Sequence, residues 1–163
     1  MSYRIGQGYD AHQLGDKLPL ILGGVSIPHH KGIVAHSDGD ILIHSIIDAI
    51  LGACNLGDIG LLFPNDANSK NMNGLLMLSK IKEYLKKDNH NFCIHNIDAT
   101  IILQKPKLSD HIKQMKHNIA ESLDLDISSI SIKATTTDYL GFIGAEQGVA
   151  CLAVCLVNEG QST

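Results

Sequence analysis

At 163 residues the chain is long enough for one domain with a real core and too short to expect two, so a single domain over 1–160 is the expectation. It is 44% hydrophobic and 18% charged, an ordinary globular mix, and its formal net charge of −4 argues against nucleic acid or an anionic membrane as the main partner. A phosphorylated substrate stays open, because a bound cation reverses the local field. The start "MSYRIGQG" lacks the apolar stretch and cleavage site of a signal peptide, and no apolar run reaches membrane-spanning length, so a cytoplasmic location is expected.

In chain order, Tyr3 to Asp10 reads as a strand whose glycines admit another backbone or a ligand, and "LPLILGGVSIP" as a second short strand that pairs with it as a hairpin. Ser37, Asp38 or Asp40 can cap the next element, a helix from Ile41 to Leu51 that is apolar on nearly every side and therefore buried. "LGDIGLLFPND" reads as a loop. Asn73 to Lys87 is an amphipathic helix with Leu75, Leu78, Ile81 and Leu85 inward. "FCIHNIDATIIL" is a long strand, with Ile94, Asn96, Asp98 and Thr100 on one face and His95, Ile97, Ala99 and Ile101 on the other. Ser109 is the expected cap of a helix with the stripe Ile112, Met115, Ile119 and Leu123. "SSISIKATTTD" and "GVACLAVCLV" supply the last strands. The order predicts an α+β fold with helices packed on one face of a mixed sheet. Cys54, Cys93, Cys151 and Cys155 show no metal or disulfide spacing and read as small buried hydrophobes.

Two polar clusters interrupt these apolar elements. In "GYDAH", Asp10 and His12 are two apart on a strand and project to the same side; in "HSDGDILIHSIID", Asp40, His44 and Asp48 recur at steps of four on one helix face. Such groups are costly to bury unless paired or bound to a metal. One carboxylate and two imidazoles converging there make a three-ligand zinc site with an open fourth position, and Asp48 or Asp40 is left to orient a ligand imidazole. The competing reading, local hydrogen bonds on a solvated helix face, is weakened by Ile41, Ile43, Ile46, Ile47 and Ile50 around the row. His29, His30, His90, His111 and His117 read as solvated turn or helix-surface residues, and His95 as structural. His36 and Ser37 sit where a helix N-terminus favours an anion. "KATTTD" places Lys133, three hydroxyls and Asp138 before a glycine-rich turn, and "QKPK" places Lys105 and Lys107 around Pro106, a pair suited to a phosphate or a base edge.

"GYDAH", "GGVSIP", "KGIVAHSDGDILIHSIIDAILG", "LGDIGLLFP", "NIDATIILQKPKL" and "IKATTTDYLGFIG" followed by "EQGVAC" occur in this order from Arg4 to Val157. Together they resemble the 2-C-methyl-D-erythritol 2,4-cyclodiphosphate synthase family. The resemblance implies a homotrimer with active sites between subunits, acting on a cytidine diphosphate substrate, 4-diphosphocytidyl-2-C-methyl-D-erythritol 2-phosphate, in non-mevalonate isoprenoid synthesis. It implies zinc on Asp10, His12 and His44, and magnesium or manganese between the diphosphate and Asp138. His36 and Ser37 would hold phosphate, and Thr136 would steady transition-state charge. Asp58 and Gly60 would meet the erythritol hydroxyls. Leu103, Gln104, Lys105, Pro106, Lys107 and Leu108 would form the cytidine pocket. Ile59, Phe63, Asn65, Lys133, Thr135, Thr137 and Phe142 complete the expected substrate contacts. Four positions depart from the family pattern: Gln7, Asn65, Asp138 in place of the usual Glu, and Ala145 in place of a common arginine.

The residues themselves supply no activated serine or cysteine nucleophile, which suits a substrate that carries its own. Two other classes remain: a zinc hydrolase using metal-bound hydroxide, and a non-catalytic metal- or nucleotide-binding trimer. The retention of Lys133, Thr136 and Asp58 beside the ligand set argues against simple metal storage.

Overall fold

In a computed structural model, residues 2–35, 37–64, 72–86 and 92–159 are described. Strand β1 spans Ser2–Asp16, followed by β2 (Ile21–Leu22), β3 (Val25–Ser26) and β4 (Lys31–Ile33). Helices α1 (Ile41–Cys54), α2 (Ile59–Leu62) and α3 (Gly74–Lys86) come next. Strand β5 (Phe92–Ile102), helix α4 (Ile112–Leu123), strand β6 (Ile130–Thr135), helix α5 (Gly141–Gly144) and strand β7 (Gly148–Glu159) complete the order. The main sheet runs β4-β1-β7-β5-β6; β5 and β6 are parallel and every other pair is antiparallel. This is the expected α+β architecture, a mixed sheet with helices on one face.

The core lies between that face and α1. Ile41, Leu42, Ile43, Ile46, Ile47, Ile50 and Leu51 are all fully buried, as the all-round apolar pattern requires. Their cover comes from Leu78 and Ile81 of α3, Met115 and Ile119 of α4, and Ile97 and Ile101 of β5. The opposite face of β1 and β7 leaves Tyr3, Ile5, Tyr9, Leu152 and Val154 exposed, with Ile5 at 73%. Among the described residues no helix is long and apolar enough to cross a membrane.

The glycines of β1 do admit another backbone, that of α1. A Cβ on Gly6 would stand 1.9 Å from the Ala49 carbonyl oxygen, and one on Gly8 would stand 1.9 Å from that of Ser45. The helix therefore lies directly on the strand, with no side-chain layer between them.

Asp40 ends the competition for the helix cap. Its carboxylate accepts from Ile43 N–H at 3.2 Å and also from Gly23 N–H at 2.9 Å and Gly24 N–H at 2.7 Å. Burial pushes its pKa up to about 6, against these three donors, which favour the charged form. Both glycines have positive φ, as the two-residue turn of a hairpin demands, so Asp40 fastens the β2–β3 turn to the start of α1.

Several local expectations are corrected. The "LPLILGG" segment does not pair with β1; it forms its own hairpin with β3, and β4 pairs with the end of β1 instead. The loop after α1 contains α2, because Asp58 accepts from Leu61 N–H and caps a short turn. A bulge between Ile94 and Asn96 breaks the alternation of β5, so Ile94 packs on the core and His95 faces out. Ser109 does not cap α4; its hydroxyl contacts Asp110, and His111 occupies the cap position without a side-chain bond. Cys54, Cys151 and Cys155 are buried, but Cys93 is exposed.

The close approach of α1 to β1 gives a contrast of two substitutions. Gly8→Ala should destabilise the fold by about 3 kcal/mol, because its methyl meets backbone that cannot yield without moving the helix. Gly52→Ala, on the exposed side of α1 with nothing nearer than 3.8 Å, should stabilise by about 0.5–1 kcal/mol through helix propensity. Urea denaturation of both variants checks the pair, and equal effects would contradict the packing account.

Candidate functional site

Beyond Gly8, β1 continues on the helix side with Asp10 and His12, and the second turn of α1 presents His44 to them. One carboxylate oxygen, Asp10 Oδ2, lies 3.1 Å from His44 Nδ1 and 3.3 Å from His12 Nε2. The other, Oδ1, accepts from Ala11 N–H at 2.8 Å. Burial would raise the Asp10 carboxyl, but hydrogen bonds and charge from His12 and His44 outweigh it and hold the pKa well below the usual carboxylate range. The hydrogen bond to Asp10 raises His12 above its ordinary value, against the opposing effect of burial.

The three residues fit a divalent cation. Their ligating atoms lie within 4.8 Å of one another, and the set is one carboxylate with two imidazoles, a combination zinc accepts. His12 Nδ1 faces the Val34 carbonyl oxygen at 3.4 Å, which leaves the Nε2 lone pair facing Asp10 Oδ2. A lone pair and an anionic oxygen so placed require positive charge between them, supplied by a proton or by a metal. His44 Nε2 is buried without a hydrogen-bond partner.

Neither expected orienting carboxylate hydrogen-bonds a ligand imidazole. Asp40 is spent on the three N–H groups of its cap, and Asp48 accepts from Ile59 N–H at 2.7 Å. Burial raises the Asp48 pKa, with His44 among the charges that oppose the shift. The orienting group for His12 is the Val34 carbonyl, which no side-chain pattern announces.

A second feature opens at the far strand. A cavity of about 440 Å³ is lined by Leu103, Gln104, Pro106, Lys107, Leu108, Ser109, Ile112, Ala134, Thr135 and Thr136. Five of the six residues of the expected cytidine segment are here, together with two of the threonines; Ser109, Ile112 and Ala134 were missed because they read as helix and strand. Lys105 is not in this wall, and its ammonium pairs with Glu146 at 3.0 Å. Gln104 accepts from Tyr139 N–H at 3.2 Å, tying the cavity to the turn that carries Asp138. Thr136 donates to Asp138 Oδ1 at 3.4 Å, and Thr137 donates to the Leu140 carbonyl at 2.7 Å.

The register places these two features at one end of the sheet. Asp10 pairs with Cys151, Cys151 with Ile101 and Ile101 with Ala134, so ligand and cavity wall share one row, three strand spacings or about 14 Å apart. Phe142 lines a separate cavity of about 510 Å³ with His12, Lys31 and Glu146. Asp138 is not part of the Asp10 group among the described residues. Lys133 is engaged by Asp98 and lies on the opposite, exposed side of β6. Asp58, Ile59, Gly60 and Phe63 cluster around α2, beside Asp48. Ser37 accepts from Gly39 N–H at 3.3 Å, while His36 and Asn65 lie outside the described residues.

The fold and the site thus define an α+β protein with a metal-competent carboxylate and two imidazoles at the same sheet end as a cavity of small-ligand size. A family model described as the YgbB family matches residues 3–158, and the chain belongs to that family. A Clostridium botulinum protein named 2-C-methyl-D-erythritol 2,4-cyclodiphosphate synthase is 54% identical over 156 residues, which are 95% of this chain and 99% of that protein. The bifunctional IspDF of Campylobacter jejuni superposes with a TM-score of 0.91 at 43% identity, covering 98% of this chain and 43% of that one. The IspF of Plasmodium falciparum, solved as a CDP complex, superposes at 0.85 with 39% identity over 98% of each chain.

The electrostatics of the three ligands give a pH dependence. A raised His12 pKa contributes stability that is fully present below its ordinary value of 6.5 and lost as pH rises through the folded value. A lowered Asp10 pKa contributes stability present above its ordinary value of 3.8 and lost only in strong acid. The His12 contribution to metal-free stability should therefore fall above pH 6.5. Divalent-metal affinity should rise over the same interval, because the ligand must shed its proton. Calorimetric titration with zinc at pH 6 and pH 8 checks this, and equal affinities would contradict it. His44→Ala should stay folded and lose this ion by elemental analysis.

Proposed function

We propose that the chain converts 4-diphosphocytidyl-2-C-methyl-D-erythritol 2-phosphate into 2-C-methyl-D-erythritol 2,4-cyclodiphosphate with release of CMP. This makes it a phosphorus–oxygen lyase of non-mevalonate isoprenoid synthesis. The observation that carries the reading is the shared sheet row, which sets Asp10 of the metal-competent group in line with Ala134 of the cavity wall. The names of the similar proteins, and the CDP in one of them, support the substrate class.

The substrate brings its own nucleophile: its 2-phosphate oxygen bonds to the β-phosphorus, and CMP leaves with the electrons of the bond that breaks. The protein's task is positioning and neutralisation of charge. Backbone and side chains from Leu103 to Leu108 hold the cytidine end. Asp58, which caps α2, and Gly60 within it meet the erythritol hydroxyls. His36 and Ser37 hold phosphate, and the Thr136 hydroxyl steadies charge as CMP departs. Asp10, His12 and His44 hold zinc, and Asp138 holds magnesium or manganese, a hard ion suited to one carboxylate and phosphate oxygens. When bound, the two cations withdraw negative charge from the diphosphate, which is how a chain of net charge −4 accommodates this substrate.

The working unit is proposed to be a homotrimer with sites between subunits. The exposed Tyr3, Ile5, Tyr9, Leu152 and Val154 form an apolar sheet face of the kind that associates. The separation of Asp138 from the Asp10 group also favours completion of the site by a neighbour. Sedimentation showing a stable, active monomer would contradict this.

Incubation with the diphosphocytidyl substrate and magnesium or manganese, followed by phosphorus NMR, should show CMP and the cyclic product in equal amounts. Incorporation of solvent ¹⁸O into an open-chain product would identify a hydrolase instead. Asp138→Asn should retain zinc and assembly but lower turnover by about a hundredfold, the scale of losing one charge-stabilising group. Added magnesium should partly restore it, and Asp138→Glu should stay active. Parental turnover by Asp138→Asn at limiting magnesium would assign the ion to another carboxylate.

A further inference from the structure

His29 and His30 precede β4 and face outward by every sequence criterion, yet the fold carries Glu146, from the turn between α5 and β7, onto them. One ligating atom from each of the three lies within 4.8 Å of the others. The imidazole centroids are 4.3 Å apart with the rings tilted by 60°. His29 Nε2 is buried and has no hydrogen-bond partner, a rare state for a buried polar atom and one that marks a missing partner. Glu146 is also held at φ 55°, a left-handed conformation that costs a residue other than glycine about 1–2 kcal/mol. Contacts on both sides keep it there: Lys31 Nζ donates to its carbonyl oxygen at 2.9 Å, and Lys105 Nζ lies 3.0 Å from Oε1. The second carboxylate oxygen has no ion-pair partner among the described residues.

We propose that His29, His30 and Glu146 form a second divalent-cation site of zinc type, separate from the Asp10 group. Two imidazole nitrogens and one carboxylate oxygen are a zinc donor set with a fourth position left open. Magnesium, which prefers oxygen ligands throughout, is disfavoured by the same nitrogens. The adjacent lysines oppose a cation, but the Lys105 side chain is 54% exposed and can withdraw into water when an ion takes over the charge of Glu146. The site would join two segments, the turn before β4 and the turn leading into β7. Glu146 also lies on the wall of the 510 Å³ cavity.

The test is zinc titration of the metal-stripped full-length protein, read by calorimetry and elemental analysis, with cobalt absorption as an independent signal. The parent should bind a second equivalent of zinc that His44→Ala retains and that a His29→Ala/His30→Ala variant loses. Glu146→Gly is the complementary variant, since it relieves the backbone strain and so keeps the fold while weakening the second equivalent at least tenfold. A parent that binds a single equivalent, lost entirely in His44→Ala, overturns the proposal. So does a Glu146→Gly protein that binds both equivalents with parental affinity.

Discussion

The backbone of α1 rests on the backbone of β1 at Gly6 and Gly8, and the position of every group at the metal-competent site follows from that contact. With side chains at those two positions the helix would stand off the strand by the thickness of a methyl layer or more. His44 would then lose its 3.1 Å approach to Asp10. The glycines are paired with a helix whose apolar residues point almost everywhere, so the contact is sealed on its other sides by β5, α3 and α4. Close packing of this kind transmits small displacements directly, so a shift of α1 on β1 would move His44 relative to Asp10.

Electrostatics are arranged around the same contact. Asp40 and Asp48, which stack with His44 along α1, are drawn off by backbone donors from the β2–β3 turn and from α2. That division leaves Asp10 as the carboxylate shared by both imidazoles. The contacts with both imidazoles keep Asp10 charged in the metal-free protein, and the raised pKa of His12 means that a cation there takes the place of its proton. The 440 Å³ cavity meanwhile sits across the sheet, lined by the Leu103 to Leu108 loop, the end of β6 and the start of α4. The two halves are linked by strand register and by the core that α1 shares with β5 and α4.

Much of this was legible in the sequence because it depends on local periodicity. The step of two in Asp10 and His12 and the step of four to His44 place side chains on known faces of a strand and a helix, whatever the rest of the chain does. The buried helix was equally plain. The roles of Asp40 and Asp48 were not, since a carboxylate on the right face can be claimed by any backbone N–H that the fold brings near. The bulge at His95 and the true partner of β1 were hidden for the same reason: pairing is decided between segments.

By itself, then, the sequence determined the long helices and strands, the glycines that permit backbone contact and the three metal-competent residues, all consequences of short-range geometry and residue chemistry. Only the tertiary structure decided which carboxylate serves the imidazoles and that Val34 orients His12. It also decided that Ala134 of the cavity wall lies in the same row as Asp10, and that Glu146 reaches His29 and His30. The physical reason is that these are relations between residues far apart in the chain. They are fixed by strand order, register and the competition of distant donors, none of which leaves a periodic trace along the chain.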